Sequence, residues 1–240
     1  ANRVPDGVSI IGFDCGYRDP RRLDAYHHAR AASHMGRVLI ERILAHEGAS
    51  DIRMDGLLAR LTMNDFVERF RDRLPMKLGG AEFLQRFGTP ADDYTRIQPG
   101  EVYKVRSRTE HHIYENSRSV QFAERLSRYA RTKDPMALHE AGELMHASHW
   151  SYGQRCGMGS VATDRLVTLL RRQGPSCGIF GAKTSGRGCG GLVVALVAQS
   201  SSTAAVIESV CAEYESLSQR RPVVLTGSAG GALKREAVKL

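Results

Sequence analysis

Eleven residues, Gly181 to Gly191, read GAKTSGRGCGG, and the apolar run LVVALVA follows at once. Five of the eleven are glycine. Glycine accepts positive φ and lets other groups come close to the backbone. An unbroken run of Val, Leu and Ala reads as a buried strand. The stretch therefore calls for a tight loop feeding a core strand, with Lys183, Thr184, Ser185 and Arg187 as its polar side chains. Two readings are open. The loop is the turn of a hairpin, or it is a nest of backbone amides that holds an anion, helped by the basic side chains beside it.

The surrounding pattern supplies the layers for such a strand. Val8–Phe13 reads as a strand that exits at Asp14-Cys15-Gly16, and Asp24–Leu44 as a helix with one apolar side. Tyr26 and Arg30, four apart, share a face of it. Asp51–Arg60 and Asn64–Arg73 read as short amphipathic helices, the second capped by Asn64. Ala81–Phe87 is a short helix, Thr89–Gly100 a loop, and Glu101–Arg106 a short strand. A long helix runs from Ile113 to about Arg131. Asp134-Pro135 is an N-cap followed by proline in the first helical position, opening a helix to about Ser151. Ser160 caps a helix over Val161–Gln173. Then come a strand at Ile179-Phe180, the Gly loop, the strand Gly191–Ala198, a helix over Thr203–Leu217 and a last strand, Pro222–Thr226. The pattern predicts an α+β fold: an antiparallel sheet with helices packed on one face, and additional helices toward the N-terminus.

Composition narrows the partners. The 240 residues carry a formal charge of +8, which favours anionic ligands. The arginines are spread along the chain, and no basic block or nucleic-acid-binding module is evident, so nucleic acid is not expected as a partner. No apolar run is long enough to span a membrane, and no membrane partner is expected. Five widely spaced cysteines, without a CxxC pair or a Cys/His cluster, fit a reducing, cytoplasmic setting and no metal site. Glu110-His111-His112 with Glu115 lacks a metal-ligand spacing such as HExxH. Neither a Walker loop nor a GxSxG elbow occurs.

GAKTSGRGCGGLVVAL resembles the third signature motif of the GHMP kinases, a Gly-rich loop between two strands of their C-terminal domain. GELMHASHWSYGQRCGMGSVATDRLV (Gly142–Val167), IGFDCG (Ile11–Gly16), the helix with Tyr26, Arg30 and Met35-Gly36-Arg37, and VYKVRSRTEHHIYEN (Val102–Asn116) resemble the galactokinase-like L-arabinokinases. The resemblance implies a ferredoxin-like C-terminal domain over residues 111–240. Residues 1–110 would then be the end of the N-terminal-half region with a helical insertion. It implies an ATP-dependent sugar 1-kinase that uses Mg2+, acts on a small sugar, and has Tyr26 against that sugar. The phosphate and substrate loop would be Lys183, Thr184, Ser185, Gly186, Arg187, Gly188, Cys189 and Gly190. A packed core tyrosine remains the other reading of Tyr26.

Three loop positions depart from the family pattern: Ser185 stands where Thr is common, Arg187 where Gly or Ala is, and Cys189 where a small or aromatic residue is. Arg187 either reaches a phosphate or crowds the ligand. The Gly/Ser-rich nucleotide loop and the catalytic Asp of the family are not in these 240 residues, so the resemblance implies a C-terminal half whose partner is the missing N-terminal half. No catalytic residue is expected within the chain itself. A non-catalytic sugar- or nucleotide-binding module, or a truncated fragment, is the alternative.

Overall fold

The computed structural model describes residues 4–19, 22–49, 51–187 and 190–227. The N-terminal part runs β1 (Val8–Asp14), α1 (Arg22–Glu47), a one-turn α2 (Met63–Asp65), β2 (Leu78–Gly79), α3 (Gly80–Phe87) and β3 (Val102–Tyr103). There follow α4 (Val105–Thr132), α5 (Pro135–Gln154), α6 (Val161–Gln173), β4 (Ile179–Thr184), β5 (Leu192–Ala198), α7 (Ser201–Ser218) and β6 (Val223–Leu225). The four longer-range strands form one sheet in the order β4-β5-β1-β6, antiparallel at every pairing. The β1–β5 register sets Val8 opposite Ala198 and Phe13 opposite Val193.

Period-two alternation decides the faces. Ile11, Phe13, Val193, Ala195 and Val197 point one way, into a cluster with Leu166, Leu169 and Leu170 of α6 and Val210 and Tyr214 of α7. This is the helical layer that the sequence pattern predicts. The opposite face is partly covered too: Val8 and Leu196 pack with Leu126 of α4 and Leu138, Ala141 and Met145 of α5. The first turns of α4 belong elsewhere. Ile113 joins Ile40 and Leu44 of α1 in a cluster with Phe66 and Phe70, while Val105 packs with Met35, Phe83 and Tyr103. Residue 110 therefore falls inside a helix that serves both the N-terminal helical layer and the sheet.

Four local expectations are corrected. Asp51–Arg60 forms only a 3-10 turn at Leu58–Arg60, because Asp55 and Gly56 both take positive φ (45° and 76°) and break any helix there. The N-cap of the next helix is Thr62, whose side chain accepts from Asp65 N at 3.1 Å, rather than Asn64. That helix passes directly into a π turn, Phe66–Phe70, which buries both phenylalanines. The strand expected over Glu101–Arg106 pairs only at Val102–Tyr103, and α4 starts at Val105, well ahead of Ile113. Arg106 explains the early start: Nε and Nη2 donate to the Leu74 carbonyl at 2.9 and 2.7 Å, so a residue that reads as exposed is spent on tertiary structure.

Two caps stand as read. Asp134 accepts from Met136 N at 2.9 Å ahead of Pro135. Ser160 Oγ accepts from Thr163 N at 3.2 Å, while Thr163 Oγ1 accepts from Ser160 N at 3.0 Å, a buried reciprocal cap. Ser160→Ala should lower stability by about 1 kcal/mol, read as a shift of the urea midpoint; an unchanged midpoint would mean the cap is not needed to start α6.

Candidate functional site

The Gly-rich stretch is the connection of a hairpin, with Gly181–Thr184 already inside β4 and Ser185 N donating to Leu192 O at 2.9 Å as the strands part. The first open reading is therefore correct in geometry, and the second depends on where the loop sits. Four elements hold it. From β1, Cys15 N donates to Gly191 O at 3.0 Å, and Arg18 Nη1 donates to Gly190 O at 2.6 Å. Gly191 has φ +67°, and a Cβ there would lie 2.7 Å from the Tyr17 carbonyl, so only glycine fits. From α5, Tyr152 OH donates to the Gly186 carbonyl, and His149 Nδ1 accepts from Thr184 N at 3.3 Å and lies 3.2 Å from Thr184 Oγ1. From α4, Glu115 Oε1 lies 3.9 Å from Lys183 Nζ. From α1, the ring of Tyr26 lies under the Arg187 guanidinium, 5.4 Å from Cζ to centroid.

The last contact joins two residues that the sequence reading singled out separately. Tyr26 is half-buried and Arg187 exposed, so the pair stands at a surface. It borders a cleft of about 600 Å³ lined by Tyr26, Arg30, His34, Asp92, His111 and Tyr152. Arg30 turns to a neighbouring carboxylate. Its Nε donates to Thr95 Oγ1 at 3.1 Å and its Nη2 lies 3.6 Å from Asp92 Oδ1. Lys183 and Thr184 turn away from the loop apex toward α4 and α5, Ser185 is held by its backbone, and Gly186, Arg187 and Gly190 form the described apex. Gly188 and Cys189 lie outside the described residues.

Protonation states follow from burial. Burial pushes the His111 imidazole down to about 4, against the pull of Glu115. The ring is therefore neutral at neutral pH, paired through Nδ1 with Ser151 Oγ at 2.9 Å and 5.7 Å from the Tyr152 ring. His149 is likewise lowered by burial. Since its Nδ1 accepts from Thr184, the proton sits on Nε2, which faces Asp164 Oδ1 at 3.6 Å. Asp14, at the end of β1, is locked by Arg18 through bonds of 2.9 and 2.7 Å, which hold its carboxyl below the usual range.

Magnesium prefers several oxygen ligands with carboxylates among them. Asp14 faces Arg18, Glu115 faces Lys183, and Asp164 faces His149. Among the described residues no three His, Cys, Asp or Glu side chains gather to hold a metal ion. These side chains do not fit Mg2+. A phosphate is different: Arg187, exposed at the loop apex, suits its oxygens.

Sequence reasoning missed Tyr152 and His111 as members of the site. The signal for Tyr152 was available: it lies four residues after Ser148, on the face of α5 that carries buried Met145 and Ser148, so the helix had only to be carried one residue past Ser151.

Comparison with known proteins bears on the whole arrangement. Residues 136–216 match the family model described as GHMP kinases C terminal. Over 96% of its length the chain is 27% identical to the L-arabinokinase of Arabidopsis thaliana, of which it spans 24%. The crystal structure of Lactococcus lactis galactokinase complexed with galactose superposes on 93% of the chain with a TM-score of 0.59 and 18% identity, and 45% of that galactokinase is covered.

Proposed function

We propose that the chain is the C-terminal part of an ATP-dependent sugar 1-kinase, a reading supported by the match of residues 136–216 to the model described as GHMP kinases C terminal. The reaction is phosphoryl transfer from ATP to the anomeric hydroxyl of L-arabinose or a galactose-like sugar. The carrying observation is the meeting of Arg187 with Tyr26 at the mouth of the cleft, which brings the Gly loop and the sugar-facing helix to one place. Likeness in fold to a galactokinase solved with galactose supports the same reading.

In this reading Tyr26 offers a flat apolar face to a pyranose, and its hydroxyl offers a donor. In the same reading Arg187 supplies positive charge to the transferring phosphate. His149, through Thr184, and Tyr152, through Gly186, position the loop. The catalytic acid, the nucleotide loop and the Mg2+ ligands come from a polypeptide half outside these 240 residues. The reducing cytoplasm suits the chain, because Cys15, Cys156, Cys177 and Cys211 are all free thiols.

The test is phosphorus NMR of ATP with L-arabinose or galactose. A polypeptide extended through the preceding half should form sugar 1-phosphate, and the 240 residues alone should form none. Extended protein that phosphorylates neither sugar, or binds sugar saturably without turnover, would defeat the kinase reading. In the active polypeptide, Tyr26→Ala should raise KM for the sugar about tenfold, the equivalent of about 1.4 kcal/mol of lost contact. An unchanged KM would return Tyr26 to a packing role.

A further inference from the structure

Arg108, one turn into α4, is 7% exposed, and its Nε is fully buried without a hydrogen-bond partner. No carboxylate among the described residues forms an ion pair with it, although nearly every other buried or half-buried arginine nearby has one: Arg71 and Arg155 share Glu110, and Arg37 holds Glu41. Cys156 lies beside it in the same cleft, but burial pushes that thiol up to about 12, so it supplies no negative charge. A buried cation left unpaired is costly, and chains rarely keep one without a counter-ion.

The guanidinium reaches a second cleft, of about 930 Å³, on the other side of α1 from Tyr26. Gly157 closes over it: a Cβ at that position would lie 2.8 Å from Arg108 Nη2, and the residue has φ +70°, so glycine leaves the fork its room. His28 stacks on Tyr103 in the same cleft, with ring centroids 4.3 Å apart, and burial lowers its pKa, so it adds no charge. The remaining charged lining is Arg96 against Asp24, Asp93 and Glu101. With Arg108 included, three acids face two fixed cations, so the lining repels a dianion more strongly than a single negative charge held on one fork. A carboxylate matches that fork bidentately.

We propose that this cleft binds a small monocarboxylate, held by the Arg108 guanidinium beneath Gly157. The pairing supplies the counter-charge that the fold omits, and the solvent-facing side of the cleft admits a free metabolite. The site is independent of the kinase reading, and its test needs neither ATP nor sugar.

Thermal unfolding of the intact polypeptide, measured in sodium acetate against sodium chloride and sodium phosphate at equal ionic strength and pH 7, reads it out. Acetate should raise Tm saturably, by about 2–4 °C at several times its Kd, with chloride and phosphate giving less. Arg108→Met should abolish the acetate response and, without acetate, melt no lower than wild type, because an uncompensated charge is gone. Arg108→Lys keeps charge without the fork, and should weaken the acetate midpoint about tenfold or more; it also serves if the Met variant does not fold. The proposal is overturned by the absence of an acetate-specific rise in wild type, by a rise that survives in Arg108→Met, or by a phosphate response larger than that of acetate.

Discussion

Gly142→Val should leave almost no stably folded protein, with a loss of more than about 3 kcal/mol in urea unfolding and a fall in soluble yield. The reason lies in how α5 meets the edge strand β4. A Cβ at Gly142 would lie 1.8 Å from the Phe180 carbonyl oxygen and 2.5 Å from its carbon, and one on Gly181 would lie 2.4 Å from Gly142 Cα. Both obstacles are backbone, so no rotamer change relieves them. The helix would have to lift off the strand, taking Ala141 and Met145 out of their cluster with Leu196. The same seating places His149 and Tyr152 against the hairpin, so a folded remnant should also lose the loop's position. A variant with a wild-type midpoint would show that the helix rides farther from the strand than described.

Glu110→Ala should be the most damaging loss of a single polar side chain, about 3 kcal/mol at pH 7. Glu110 Oε1 accepts from Arg71 Nε at 3.2 Å and Oε2 from Arg155 Nε at 2.9 Å, with the Glu110 side chain 10% exposed. Without it the Arg155 guanidinium is left against the rings of Tyr114 and Trp150, and the end of α5 loses an ionic tie to α4. The pH dependence should have two stages. Burial alone would raise the Glu110 carboxyl, but hydrogen bonds and charge from Arg155 and Arg71 prevail and lower it from 4.5. Its contribution is then complete above about pH 4.5 and lost as pH falls through the lower folded value. His111 works in the window above. Buried down to about 4 from 6.5, it takes its proton in the unfolded chain first, so stability falls as pH drops from about 6.5 toward 4. His28, His34, His112, His146 and His149 are depressed by burial in the same direction and share that slope. Glu110→Ala should shrink the lower stage, which Asp14 and other depressed carboxylates share, and leave the upper one. An acid-unfolding curve with an unaltered lower limb would refute the pairing.

Much of the sheet was legible because its signals are local. The β-branched run at 192–198 and the caps at Asp134 and Ser160 each carry their own chemistry within a few residues. The start of α4 was not legible for the opposite reason. Arg106, Arg108, Glu110 and His111 look like a solvated segment, yet three of these four are buried, and the reasons are distant: Leu74, Arg71, Ser151 and Arg155. At the site, the Gly loop could be named from its residues and Tyr26 from the family resemblance, whereas their contact across the fold could not. It depends on the β1 exit holding Gly190 and Gly191, which no spacing in the sequence encodes.

The Arg187–Tyr26 stack carries a consequence for affinity. A guanidinium over an aromatic face at an exposed position is worth about 0.5–1 kcal/mol. Any ligand that needs that face of Tyr26 must first evict the chain's own side chain, so the loop acts as a built-in competitor. Its effect on a ligand's dissociation constant is about two- to fivefold. Where the incoming ligand also brings a phosphate, the evicted arginine is already within reach of a better anion, and the same competition becomes a handover from ring to phosphate.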